Sequence, residues 1–333
     1  MNTRQFRRVF LRVKRNNNEG SILSRKERIF TNPVYVVILA VFTNVLWGSA
    51  WPSIKVGNEQ FHVTNMPEQI LFAGYRFFGA GLVLLLFYIL TQKKIPMIHK
   101  ENGNRKTVCL QMLFQTFFQY MFSYLGAANI SGTNSSIFSA TNTFIAVILA
   151  HFVYTDDKLN RRKIVACTMG FVGVLFATLG KGTIGFSPTG EGFIMLSAVF
   201  GTIGTIISKK STKTDDAVSV TGYSLGIGGF LLMIVGWTMG ASLSFDALGD
   251  FLILGYLIFI SSVSFTLWTL LNQYNKVGRL SIFSCVVPIS GTLLSGIFLR
   301  ENVFQIQYMI SLALITGGIY VLNHSRKTAR DGE

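Results

Sequence analysis

Ten stretches of about 20 largely apolar residues recur along the chain, at roughly 34–56, 68–90, 107–128, 132–152, 162–180, 190–208, 217–239, 251–271, 280–299 and 303–323. Each is long enough to cross a bilayer as an α-helix. The polar residues between them decide how the crossings are arranged. With the N-terminus inside, cytoplasmic segments hold nine Lys and Arg in 1–33, five in 91–106, four in 153–163, three in 209–216, two in 272–279 and three in 324–333. External loops hold only Lys181 and Arg300, and Lys55 and Arg76 fall within spans. That asymmetry is the positive-inside pattern, and one span more or fewer would break its alternation. The fold expected is all-α integral membrane with ten transmembrane helices, both termini cytoplasmic, as a multi-pass protein of the cell membrane.

The formal charge of +15 is therefore a loop property. A balance this basic also suits nucleic-acid binding, but basic residues confined to alternating gaps between apolar runs point to a membrane and to no nucleic acid. Half the residues are apolar and only 14% are charged, too few charges to cover a soluble domain of this length. Cys109, Cys167 and Cys285 lie inside apolar segments without metal-ligand spacing and read as reduced packing residues. The first 33 residues lack the apolar core and small-residue cleavage site of a secretory signal. Within them Phe6, Val9, Phe10 and Val13 recur at helical spacing among basic residues. The pattern suits an amphipathic helix on an anionic inner leaflet, or a basic tail that only sets topology.

The chain repeats itself. Ser136-Ile137-Phe138-Ser139 recurs as Ser281-Ile282-Phe283-Ser284, an offset of 145, at which Leu149 meets Leu294, Asp156 meets Glu301 and Gly173 meets Gly318. Near offset 148, Gly74-Tyr75 meets Gly222-Tyr223, and near 153 Trp47-Gly48 meets Phe200-Gly201. These matches divide the chain into a basic segment 1–33, five-helix repeats at 34–180 and 188–323, and a tail 324–333. Five is odd, so the second repeat is inverted, the arrangement of many carriers that hold substrate near the midplane between repeats.

Leu46-Trp47-Gly48-Ser49, Tyr75-Arg76-Phe77, Asp156-Asp157 followed by Gly170-Phe171-Val172-Gly173, and Leu299-Arg300-Glu301 followed by Gly317-Gly318 carry a family likeness. Over about residues 34–323 the chain resembles an EamA-type member of the drug/metabolite transporter superfamily. It departs from that family in Asp156, where Glu is common, and in Asn142-Thr143, where Pro is common; Pro288 keeps the proline at the partner position. The resemblance implies export or exchange of small metabolites, often amino acids.

Candidate transport residues are polar and aromatic side chains at membrane depth. Arg76 lies about 12 Å along span two at about 1.5 Å per residue. An arginine there has to be paired or wet; it is either a clamp for a substrate carboxylate or a structural side chain bonded to other helices. Gln111, Gln115 and Gln119 share one face of span three among Phe114, Phe117, Phe118 and Tyr120. Uncharged amides can bond a polar substrate without charging an empty cavity, and can equally join helices. Asn44 and Trp47 in span one, Asn142 in span four and Trp268 in span eight complete the candidate binding set. Pro52, Pro288 and Gly291 are hinge or packing candidates, and Gly222 with Gly226 is a helix-packing pair. Trp51 and Lys55 read as interfacial anchors.

No nucleotide-binding motif, catalytic cluster, metal-ligand set or cofactor signature is present. His151, at the inner end of span four, is the one proton-relay candidate in a span, and no carboxylate lies near the middle of a span. The function expected is a secondary-active or facilitative transporter of small polar, amino-acid-like metabolites, not an enzyme. An intramembrane enzyme or a channel are the alternatives: the first needs facing catalytic groups, the second a pore lined by several copies.

Overall fold

A computed structural model describes residues 25–98, 104–153, 158–177, 179–180, 183–184, 186–212, 215–275 and 280–328. The amphipathic stretch from Phe6 to Val13, Asp156, Asp157 and Lys181 lie outside the described residues.

A short helix α1 (Arg25–Thr31) precedes α2 (Pro33–Gln60), α3 (Met66–Gln92) and α4 (Asn104–Gln111). A π-helical segment, Met112–Phe118, joins α4 to α5 (Gln119–Asn129). Then come α6 (Gly132–Ser139), α7 (Thr141–Val153), α8 (Arg161–Ala177), a two-residue antiparallel pair of β1 (Leu179–Gly180) with β2 (Thr183–Ile184), α9 (Glu191–Ser211), α10 (Ala217–Thr238) and α11 (Leu248–Tyr274). A 3₁₀ turn, Ser281–Cys285, leads into α12 (Val286–Phe298), and α13 (Ile306–Thr328) ends the described chain. Every stretch read as a span contains helix. Among the described residues six helices are long and apolar enough to cross a membrane: α2, α3, α6 with α7, α9 to Ser208, α10 and α11.

Helix starts follow local chemistry. The Asn32 side chain accepts from the Val34 N–H at 2.9 Å, with Pro33 leading α2. Asn65 and Glu68 form a reciprocal capping box at α3. Asp216 accepts from Val218 and Ser219 at α10. The sides of these helices carry exposed Ile38, Leu86, Leu90, Phe259 and Ile297, a girdle of large apolar side chains that water would not tolerate and hydrocarbon does. The protein is an all-helical, multi-pass membrane protein.

Three spans are less regular than their apolar pattern. Span three carries the π segment, span four is interrupted at Ala140 between α6 and α7, and span nine opens with the 3₁₀ turn. The tenth helix starts at Ile306 rather than 303, because residues 301–305 form the turn that presents Glu301. Helix α2 runs uninterrupted through Pro52. Pro288 sits in the first turn of α12, directly after the 3₁₀ turn.

Glycines set the closest approaches, and the contacts come in reciprocal pairs. A Cβ on Gly74 would lie 2.7 Å from Met233, and one on Gly222, the residue 148 positions after Gly74, would lie 2.9 Å from Leu85, the residue 148 before Met233. A Cβ on Gly81 would lie 2.3 Å from Gly226, and one on Gly229 would lie 2.2 Å from Phe78, again shifted by 148. Helices α3 and α10 therefore meet antiparallel through equivalent surfaces. Helices α8 and α13 do the same at offset 145: Gly173 faces Ser311, Leu314 and Ile315, while Gly318 faces Ala166, Met169 and Gly170.

Candidate functional site

Helix α2 crosses the middle of the molecule against α11 and α12. Trp47 sets its ring edge-on to Phe265 at 5.7 Å and to Trp268 at 5.3 Å. Tyr120 joins the same group, 6.2 Å from Phe265 and 3.9 Å from Phe77. Beside Trp47, Gly48 lies against Ser290 and Val287 of α12, and Gly291 of α12 lies against Ser136 of α6 and the Gly48 carbonyl. The Ser136 hydroxyl donates toward the carbonyls of Val287 and Pro288 at 3.3 and 3.4 Å. Gly291 is thus the floor of a three-helix crossing that a side chain would fill. Asn44, one turn away, is buried and donates its amide to the Ala40 carbonyl of its own helix.

The amide stripe of span three faces α9. The Ser211 hydroxyl donates to Gln111 at 2.5 Å, Gln115 backs onto Gly204, and Gln119 backs onto Gly201. Next to this seam, Phe200 stacks between Phe118 and Phe122, at 5.2 and 5.5 Å. The Gln115 Oε1 atom is buried without a protein partner. It borders a cavity of about 10 Å³ with Thr116, Ser224, Thr221 and Thr269, room for about one water. Asn142 also meets α9, at Thr202, the residue after Gly201. Its Oδ1 accepts from the Thr202 hydroxyl at 2.9 Å, yet the residue is exposed, in the middle of a span whose neighbouring residues are buried or half-buried.

Arg76 is buried between three helices. Its Nε donates to Ser261 Oγ of α11 at 2.8 Å and a terminal nitrogen donates to Tyr124 of α5 at 3.1 Å. The guanidinium also sits over the Phe77 ring, 4.8 Å from its centroid. At the end of α7, His151 Nδ1 accepts from the Leu159 N–H at 3.1 Å.

Sequence reading did not single out Thr202 or Phe265, because nothing in their local sequence distinguishes them from packing residues, and it marked Ser136 only through the repeat. It also placed Lys55 at an interface. The Lys55 ammonium donates to the Ala128 carbonyl at 3.1 Å, beside Glu59 and Glu301, in a polar pocket of about 360 Å³. Glu301 accepts from the Gly132 and Thr133 N–H groups at 2.8 and 2.9 Å, capping α6 from 168 or more residues away. The repeat match of Glu301 with Asp156 was the signal that marked that position. Among the described residues no three His, Cys, Asp or Glu converge as metal ligands.

The family description of EamA-like transporters matches the chain twice, over residues 34–179 and 188–324. The chain belongs to the EamA-like transporter family. Relatives of this EamA protein agree along nearly its whole length. It is 27% identical over 312 residues to "Uncharacterized transporter YetK" of Bacillus subtilis, covering 91% of this chain and 89% of that one. It is 26% identical over 297 residues to the Escherichia coli protein named "Probable amino-acid metabolite efflux pump", covering 84% and 92%. A solved crystal structure 15% identical in sequence superposes with a TM-score of 0.65 over 86% of this chain and 94% of that one, so the fold is shared. The protein is a membrane transporter of the drug/metabolite transporter superfamily.

Proposed function

We propose that this EamA transporter is a ten-span carrier of two inverted five-helix repeats, 34–180 and 188–323, with both termini cytoplasmic. It moves small polar, amino-acid-like metabolites by alternating access, in export or exchange. The observation that carries this reading is the reciprocity of contacts. Two antiparallel helix pairs, α3 with α10 and α8 with α13, meet through residues related by the same offsets that relate the repeats in sequence. A two-fold axis in the membrane plane has that consequence. Trp47 and Phe200, matched in the repeat, each set a ring among aromatics of a facing span.

Between the repeats, Asn142 is a polar side chain exposed at mid-span, and lipid is the wrong solvent for it. It lines a watered crevice, and its amide N–H groups meet the substrate there, with Trp47, Trp268, Gln115 and Gln119 forming the adjoining wall. Arg76 serves as scaffold behind that wall, because its donors are already directed to Tyr124 and Ser261. The efflux named for the E. coli relative makes amino-acid metabolites the first substrates to try.

The test is counterflow in proteoliposomes with radiolabelled amino acids and their derivatives. Saturable uptake accelerated by unlabelled substrate inside is expected. Chemical turnover without flux, or unitary conductance steps, would replace the carrier by an enzyme or a channel.

A further inference from the structure

We propose that the cavity between the loop after α3, the start of α4 and the face of α10 seats an anionic phospholipid, with one acyl chain in the cavity and its phosphate on Arg105. The proposal is independent of the transport reading. The cavity measures about 330 Å³, and its lining is apolar apart from a single charge. Val108 and Met112 form a buried floor, Met97 and Ile98 one wall, and Ile227 the other. The Tyr223 hydroxyl donates to the Pro96 carbonyl at 2.6 Å and holds the loop over the α10 face, so the cavity is built by a specific tie.

Its mouth faces the bilayer. Ile227, Phe230 and Ile234 are all exposed at helical spacing on α10 and continue the cavity downward as an apolar stripe. A space of this size is about ten times the share of volume a water occupies in the liquid, and an apolar wall offers water nothing to bond. Beside lipid, it fills with hydrocarbon.

Hydrocarbon contact cannot select one lipid over another, because acyl tails are as apolar as the wall they would touch. Selection rests on the rim. Arg105 is exposed and lines the cavity, and its Nε donates to the Ile98 carbonyl at 3.2 Å, which ties the guanidinium to the cavity rim. The two terminal nitrogens then present the paired donors that suit phosphate oxygens. Lys93, Lys94 and Lys106, all exposed at the same ends of α3 and α4, add positive potential, so a neutral or anionic headgroup is distinguished by charge. Basic rims over apolar gaps between spans are the form in which such headgroups are held.

The experiment is native mass spectrometry of the full chain with phosphatidylglycerol and phosphatidylcholine offered together. A bound phosphatidylglycerol is expected to be retained over phosphatidylcholine. Arg105→Gln should weaken its retention about fivefold, the loss of about one basic contact near a membrane surface. Lys158→Gln, an exposed basic residue between α7 and α8 and outside the cavity lining, should leave retention nearly unchanged. Ile227→Trp, which fills the cavity and spares every charge, should release both lipids. Alkylation of Cys109, which is exposed and lines the cavity, gives a second readout by peptide mapping. Phosphatidylglycerol should slow it in the native protein and not in Arg105→Gln. Equal retention by native and Arg105→Gln proteins, or an equal loss in Lys158→Gln, would mean a diffuse lipid belt and overturns the proposal.

Discussion

Arg76 donates to Tyr124 and Ser261 and lies over Phe77, and all four residues are buried. Removing one partner of a buried, charge-assisted bond leaves the other unsatisfied, at about 1.5–3 kcal/mol per bond. Arg76→Ala should therefore lower the thermal transition of the solubilised protein by several degrees, with Arg76→Lys recovering part of the loss. A fully stable Arg76→Ala protein that no longer binds a carboxylated substrate would restore the clamp. Asn142 should behave in the opposite way. It is exposed, so Asn142→Ala should leave the thermal transition near its native value. Substrate affinity in counterflow should fall roughly five- to 150-fold, the worth of about 1–3 kcal/mol. Unchanged affinity would remove Asn142 from the route.

At the level of helices, the seam between span three and α9 depends on what lies opposite each glycine. A Cβ on Gly204 would stand 2.4 Å from Gln115 Cβ and 2.6 Å from its Cα, backbone that cannot yield locally. A Cβ on Gly201 would meet the amide end of Gln119 at 2.6 Å, and a long side chain can swing away. Gly204→Ala should cost more folded protein and more thermal stability than Gly201→Ala, measured by fluorescence-detected chromatography and melting. The α3–α10 crossing offers a sharper contrast. Gly81→Ala places a methyl 2.3 Å from the Gly226 backbone and should separate the helices, whereas Gly255 of α11 has nothing within 4 Å. Gly255→Ala should be neutral or stabilise by about 0.5–1 kcal/mol, the ordinary gain of alanine inside a helix. The π segment at Met112–Phe118 lies in the same seam, and single-turn π insertions recur where helices carry function.

For the molecule as a whole, orientation is the property most open to test. From the Lys and Arg distribution, residues 91–106 are expected on the side of the N-terminus, and 186–190 and 300–305 on the other. Single cysteines at 94 and 302, in a cysteine-free background, should divide cleanly in intact cells. The second should react with an impermeant thiol reagent and the first should not; labelling of the first alone would invert the topology. Under the proposed alternating access, the ties of Glu301 to α6 and of Gln111 to Ser211, at opposite ends of the bundle, are the contacts expected to break in turn.

The apolar runs and the charges between them made the helical, membrane-embedded character of the chain legible, because a run of some 20 apolar residues becomes a helix in hydrocarbon whatever it packs against. The matched glycines were legible for a related reason: Gly74, Gly173 and Gly318 face the backbone of a neighbouring helix and Gly222 faces Leu85, each too closely for a Cβ. The environments of individual polar residues were not legible. Gln115, Gln119 and Asn142 look equivalent along the chain, since each is a neutral amide in an apolar helix. Two of them back onto glycines of α9 about 85 positions away, and the third stays open. The same holds for Arg76, whose partners lie 48 and 185 residues further on. Transfer to lipid is a property of each segment by itself, and composition reports it. Which face of a segment meets which neighbour depends on shape and hydrogen bonding across the whole bundle, and only the packed tertiary structure decides it.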